Sequence, residues 1–442
     1  MFHANVIICI RKSALWLSQI ILLLAFGCGP APTPIIFELS TPTQPPATAT
    51  QPSVTQPGIT PVPSITPTPP ETGAVIKIFT NVPLSGDQAT AGQDILHGAE
   101  LAVAQLSGPL KELGYRVELV SYDDQNLTEV ALANAQAIVA DPEILCGVGH
   151  LDPQITITAS DVYHQAGLPF VAPAVTAPLL TDRNYLEVNR VIGHTDGQGF
   201  AAAQFALDQG YSSLYIVSQR SAAGLQNAEH FRTESGRLGI KRLGSAITSI
   251  NEQNIDQIVN EIVNLNPELV YVSSSASQAV PLFTKLRAAG YMGAFLGTER
   301  LDSRSGITSA GPSLIEGGGL YYTITNPPAT YYPEATKFVE DFNARFEGSP
   351  RALAARAYDA TGVCLKALEE ASRPQAGNPP TRGEVARAIR DLLEYPGITG
   401  TYTFNSQGDP SPARYYVYQV ASTDPANWDQ NPIVAAYDVT PP

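Results

Sequence analysis

Few residues in this chain could do covalent chemistry, and none of them stands at a catalytic spacing. The 6 histidines include no H-x-x-x-H pair able to hold a metal on one helix face. There is no G-x-S-x-G elbow and no phosphate-cradling G-x-x-x-x-G-K. Gly317-Gly318-Gly319 suggests flexibility or close packing, not phosphate binding. Asp123-Asp124 end a strand-like run and Glu299 follows another, Phe295-Leu296-Gly297-Thr298; a strand-end acid is ordinarily a solvated loop residue. Thr176, ahead of Ala177-Pro178, reads as a helix N-cap. In Asp152-Pro153 the proline offers neither hydroxyl nor N–H, and the aspartate suits a cap.

The elements that must position these residues alternate. Val75–Phe79, Val117–Val120, Ile144–Val148 and Pro169–Val171 read as strands. Between them lie helical patterns with apolar faces such as Ile95, Ala99, Ala102, Val103 and Leu106, then about Thr128–Ala140 and about Ile155–Ala166. The rhythm restarts at helix Gly199–Asp208. Strands at Leu214–Val217, Arg242–Ile247, Leu269–Val272 and Ala294–Leu296 follow, separated by helices at Leu225–Leu238, Ile255–Leu265 and Ala279–Ala289. Helices at Ala335–Phe346, Arg356–Glu370 and Arg382–Leu393 precede a β-rich end at Tyr415–Val420. Such alternation predicts right-handed βαβ units and parallel sheets. Two sets, in 442 residues, predict two lobes facing across a ligand cleft at the carboxyl ends of their strands.

The formal net charge of -15 argues against a nucleic-acid groove, which needs clustered Lys and Arg. Of the 4 cysteines, Cys9 and Cys28 fall in the N-terminal leader. Cys146, in an apolar run, and Cys364, in a helical pattern, read as buried free thiols, with a bridge not excluded. Arg11 and Lys12 precede an apolar stretch, Ala14–Phe26, of the length of a secretory h-region. Ala25-Phe26-Gly27-Cys28 resembles a bacterial lipobox, which implies cleavage before Cys28 and lipidation of its thiol; the alternative is an uncleaved anchor. The Pro/Thr-rich, nearly uncharged segment 28–73 reads as a disordered stalk.

Several motifs, in order, resemble the type I periplasmic binding proteins, the branched-chain amino acid (Leu/Ile/Val) ABC-transporter substrate-binding group above all. They are Pro83-Leu84-Ser85-Gly86, His97–Ala102, Tyr122-Asp123-Asp124-Gln125, Gly149-His150, Pro173-Ala174-Val175-Thr176, Arg190 with Asp196-Gly197-Gln198-Gly199, Gly297-Thr298-Glu299, and Phe404 with Gly408-Asp409. The resemblance implies an α/β fold of two Rossmann-like lobes with parallel sheets joined by a three-crossover hinge. The crossovers would fall near Ile192–His194, Thr323–Thr325 and Thr403–Asn405, giving lobes of 74–192 plus 326–402 and 193–325 plus 403–442. It also implies a ligand site in which Thr176 and the Ala174 backbone meet a carboxylate and Glu299 meets an ammonium.

The departures from that pattern are informative. Asp152-Pro153 stands where the family has a carboxylate-binding Ser, so Asp152 would bring negative charge to that seat or serve only as a cap. The covering aromatics become Ala91, Ala223 and, near the third, Ser275 or Ala276. Asn126 and Asp152 replace the Cys pair of some relatives. A roomier, more acidic pocket is expected, favouring a larger or cationic ligand over leucine. The expected role is an extracytoplasmic lipoprotein, held to the membrane by its N-terminal lipid, that delivers an amino acid-like ligand to an ABC permease/ATPase complex. It needs no cofactor or metal and binds no nucleic acid. The alternatives are a ligand-sensing receptor for a membrane signalling partner, a surface scaffold and, furthest, an enzyme.

Overall fold

The protein is described here by a computed structural model of residues 73–248, 254–375 and 377–440. The leader, Cys28 and the stalk up to residue 72 lie outside the described residues. The first set of elements runs β1 (Ala74–Val82), α1 (Ala89–Leu106), α2 (Gly108–Glu112), β2 (Tyr115–Asp123), α3 (Thr128–Ala140), β3 (Ile144–Gly149), α4 (Pro153–Gln165), β4 (Phe170–Ala172), α5 (Leu179–Asp182) and β5 (Val188–Arg190). Its five strands pair in parallel in the order β2-β1-β3-β4-β5. The middle strand β3 is buried at every position, as its unbroken apolar run requires of a strand covered on both faces.

The second set comprises α6 (Asp196–Asp208), β6 (Ser213–Gln219), α7 (Ala222–Arg237), β7 (Lys241–Thr248), α8 (Ile255–Leu265), β8 (Leu269–Ser273), α9 (Ala276–Ala288), β9 (Ala294–Thr298), α10 (Arg304–Ala310) and β10 (Leu320–Ile324). The chain then continues through α11 (Thr336–Arg345), α12 (Ala352–Ser372), α13 (Arg382–Arg390) and a small ribbon, β11 (Tyr395–Pro396) with β12 (Thr401–Tyr402). It closes with β13 (Ala413–Gln419) and β14 (Ile433–Val439). The second sheet orders β14-β13-β10-β9-β8-β6-β7; β13 runs antiparallel to both of its neighbours, β10 and β14, and the remaining pairs are parallel. The sequence reading had marked the β-rich end but not this returning hairpin. Among the described residues no helix is long and apolar enough to cross a membrane.

Helix α12 follows the second sheet in sequence yet packs on the first. Val363, Leu365 and Leu368 join Ile76, Ile78, Val148 and Val171 in one buried cluster. Its partner is α1, which carries Gly98 at the crossing. A Cβ on Gly98 would come within 2.1 Å of the Ala354 carbonyl oxygen, so only glycine lets the two helices approach this closely. The chain thus passes between the sheets three times, at 191–195, at 325–335 and at 401–412.

One side chain of α12 touches all three passages. Arg356 is buried, and each of its five N–H groups donates. Nη1 bonds the Val191 carbonyl and the Tyr402 hydroxyl, both at 2.9 Å. Nη2 bonds the Thr325 carbonyl at 2.9 Å and the Tyr332 hydroxyl at 3.1 Å, and Nε bonds Asn326 Oδ1 at 3.2 Å. Asp359, one turn on, accepts from the Ile398 and Thr399 amides at 2.7 and 2.8 Å and from the Tyr402 hydroxyl at 3.1 Å.

The position of α12 also corrects the cysteine reading. Cys146 of β3 and Cys364 of α12 are not free thiols but a disulfide, with their Cα atoms 6.0 Å apart. Both look like apolar core residues in sequence because both are fully buried. Only the return of α12 to the first sheet brings them together. The bridge closes a loop spanning 218 positions, for which chain-entropy reasoning gives about 5 kcal/mol as a ceiling. Accordingly, Cys146→Ala with Cys364→Ala should lower the free energy of unfolding by about 3–5 kcal/mol in denaturant titrations. The wild type should take up thiol alkylating reagent at neither position until it is reduced.

Candidate functional site

The loops that leave the carboxyl ends of the parallel strands carry every candidate ligand residue, as expected of open α/β sheets. In the first sheet, β3 runs through Gly149 into Asp152 and α4. Asp152 has extended backbone, and its Oδ1 accepts from the Gln154 amide at 2.8 Å and the Ile155 amide at 3.0 Å. The Thr156 amide bonds the Asp152 carbonyl at 2.9 Å, and Pro153 has no N–H. Every amide of the first turn of α4 is therefore occupied from within. A helix start that could have held a ligand anion has been closed by its own cap.

The loop after β4 holds Ala174, half-buried, and Thr176. The expected capping role of Thr176 is not found: the N-cap position of α5 falls on Pro178, and no side chain caps that helix. The Thr176 carbonyl instead accepts from the Thr195 amide at 2.9 Å. The carbonyls on either side, Val175 and Ala177, accept from Arg190 Nη1 at 3.1 and 3.0 Å. Arg190 is fully buried at the end of β5, and its Nε meets Asp409 Oδ1 at 2.5 Å. Asp409 also accepts from the Thr181 hydroxyl at 2.9 Å. The loop is thus held by its backbone, while the Thr176 hydroxyl has no hydrogen-bond partner among the described residues.

In the second sheet, Ser275 is the N-cap residue of α9 but caps none of its amides; its hydroxyl pairs with that of Ser277 at 2.9 Å. Glu299 follows β9, half-buried, and its Oε2 accepts from Gln198 Nε2. Gln198 Oε1 in turn accepts from the Thr323 hydroxyl at 2.9 Å, and both of these residues are fully buried. No Lys, Arg or His among the described residues forms an ion pair with Glu299. Burial pushes its carboxyl up to about 7, against the opposing hydrogen bond from Gln198.

The first turn of α6 links the two halves. Thr195, its N-cap residue, bonds the Thr176 loop, and Gln198, one turn on, bonds Glu299. Gly197 keeps that turn close to β13, since a Cβ there would lie 2.2 Å from the Tyr415 hydroxyl. The structure therefore connects Thr176 and Glu299 through one helix turn, while Asp152 is engaged in its own helix. The sequence reading had quoted Arg190, Gln198 and Asp409 as motif positions without assigning them work. Their signal was polarity inside otherwise apolar or glycine-rich motifs.

Behind the first-sheet loops, Asp124 meets His150 Nδ1 at 2.9 Å, and His150 Nε2 meets the Tyr163 hydroxyl at 3.1 Å, all buried. Asp123 holds the Leu84 amide at 2.8 Å and the Gln125 amide at 2.9 Å. These acids brace loops. Ala91 and Ala223 leave the expected aromatic positions small, half-buried and exposed respectively. Among the described residues no three or more ligating side chains gather into a metal site.

Two measurements follow from this geometry. Asp152→Ala should cost about 1 kcal/mol in denaturant unfolding, the usual worth of an N-cap. Glu299 binds its proton more tightly folded than unfolded, so its contribution to stability falls as pH rises from about 4.5 to about 7 and stays low above that. Glu299→Gln escapes this cost. Its Tm should exceed that of the wild type at pH 8, by an amount equivalent to about 2 kcal/mol, and the difference should vanish at pH 4.5.

A family model described as periplasmic binding protein matches residues 75–425. A Leu/Ile/Val-binding protein homolog 2 of Brucella abortus is 25% identical over 348 residues, covering 78% of this chain and 90% of the relative. The Leu/Ile/Val-binding protein of Escherichia coli K12 is 26% identical over 339 residues, covering 76% and 88%. An ABC transporter substrate-binding protein of Desulfitobacterium hafniense, solved in complex with Leu, superposes with a TM-score of 0.64 at 22% identity, covering 81% of this chain and 100% of that one. The neighbour shares the fold, and with the match over 75–425 the chain belongs to the periplasmic binding protein family.

Proposed function

We propose that this chain is an extracytoplasmic solute-binding lipoprotein that captures a small polar ligand bearing an amine or amide and delivers it to an ABC importer. The observation that carries the reading is Glu299: a half-buried carboxylate with a raised pKa, a hydrogen bond from Gln198 and no ion-pair partner among the described residues. Leaving such a group uncompensated is unfavourable, and a ligand ammonium supplies the missing partner. Thr176, joined to it through the first turn of α6, offers a free hydroxyl. The lobes are taken as 74–192 with 326–402 and 193–325 with 403–442, closing around the ligand. Binding rather than catalysis is proposed, in keeping with the family match over 75–425.

The ligand is proposed to differ from leucine. Asp152 and Pro153 consume the amides of α4 that would hold an amino acid carboxylate, and Ala91 and Ala223 leave the walls wide. Ser275 and the Ala174 backbone remain as polar contacts. Residues 1–27 are read as a signal peptide, Cys28 as the lipidated residue and 28–73 as the stalk. The Cys146–Cys364 bridge supports an oxidising compartment outside the cytoplasm.

A thermal-shift panel of amino acids, polyamines, amides, short peptides and sugars, run on refolded residues 74–442, tests this. A cationic or amide ligand at about 100 times its Kd should stabilise by about 2.7 kcal/mol, and Glu299→Ala should abolish the shift. Affinity for an ammonium ligand should fall as pH drops below about 7, by up to tenfold per unit, because protonated Glu299 no longer attracts the cation. Leucine should bind the wild type weakly and gain affinity when Asp152→Ser and Pro153→Ser are combined. Tight leucine binding by the wild type would sink the specificity argument.

A further inference from the structure

The hinge contains a concavity of about 960 Å³ that none of the candidate ligand residues lines. Its wall draws on all three passages: residues 191 and 193, residues 331–334, and residues 401–403 with 410–413, over the buried side chain of Arg356. The volume is at the upper end of what a drug-sized ligand site needs.

The charges of this wall divide into committed and uncommitted. Arg356 spends all five N–H groups on the passages. Arg414 is paired twice with Asp438, at 2.7 and 2.8 Å. Glu334 and Glu394 remain, with no side-chain partner among the described residues. Glu394 is held at φ +51, a conformation uncommon outside glycine, with its amide bonded to the Thr403 hydroxyl at 2.9 Å. On the same wall Tyr331, 42% exposed, stands edge-on at 80° to Tyr332 and Tyr416, with ring centroids 5.7 and 5.3 Å away. Aromatic rings and unpaired carboxylates lining one concavity are the chemistry that recognises an organic cation.

We propose that this hinge concavity is a second small-molecule site, distinct from the cleft, for an organic ammonium ion with an apolar body. The ammonium lies between Glu334 and Glu394, and the apolar body covers the tyrosine faces. Any rotation of the lobes moves the three passages that form the wall relative to one another. The occupant therefore binds the open and closed arrangements unequally and biases the hinge.

The probe is phenethylamine, titrated calorimetrically into the full chain, with 2-phenylethanol and 3-phenylpropionate as its neutral and anionic counterparts. Phenethylamine should bind at least tenfold more tightly than either counterpart. The combined Glu334→Gln and Glu394→Gln substitutions, both at exposed positions, should weaken it at least tenfold, and Tyr331→Ala should weaken it severalfold. No binding of phenethylamine, or equal binding of all three probes, overturns the proposal. So does an affinity unchanged in the double variant and in Tyr331→Ala; loss on Glu299→Gln alone would then put the amine in the cleft.

Discussion

A guanidinium is planar and always charged, and it carries five N–H groups in a fixed fork. Buried, it must satisfy all of them, and the directions in which it does so are rigid. In this chain that constraint falls on Arg356, whose partners are one carbonyl or hydroxyl from each of the three passages between the sheets, together with Asn326 and Tyr332. Three segments far apart in sequence are thereby held in one register. A lysine, with a single point of charge, could not span them. This fork joins segments of all three passages, and the Arg190–Asp409 pair adds a second tie between the first-sheet strand β5 and the third passage.

The same device recurs at smaller scale under the candidate site. Arg190 grips the carbonyls flanking Thr176 and anchors itself on Asp409 from the third passage. The loop that presents Thr176 is therefore set by backbone contacts and leaves its hydroxyl uncommitted. On the other side, Gln198 orients Glu299 and is itself oriented by Thr323. Among the described residues this acid has no ion-pair partner, and it is held by a neutral donor that fixes its position without neutralising it. That arrangement is unfavourable for stability and useful for binding, the usual trade at a ligand site.

Much of this was readable before any tertiary contact was known. The alternation of short apolar runs with helical faces placed helices 128–140 and 255–265 at their observed bounds, because an amphipathic period is a local property. Asp152 was read as a cap from its type and the proline after it, and it is one. Thr176 was open to the same reading for the same reason, yet Pro178, two residues later, takes the N-cap position of α5. The local signals for a cap and for a strand-end loop coincide there. The thiols of Cys146 and Cys364 misled because burial alone does not separate a free cysteine from a bridged one.

By itself, the sequence determined the element types, the repeat of two α/β sets, the strand-end positions of Glu299 and Thr176, and the absence of catalytic spacing. Each of these rests on nearest neighbours along the chain: period, turn chemistry and residue type. The tertiary structure decided which groups are partnered. It returned α12 to the first sheet, joined Cys146 to Cys364, gave Arg356 its three passages and left Glu299 without an ion-pair partner among the described residues. Those outcomes depend on contacts between segments 24 to 218 positions apart, whose geometry is fixed by packing and by the need to satisfy buried polar groups. No local pattern carries that information.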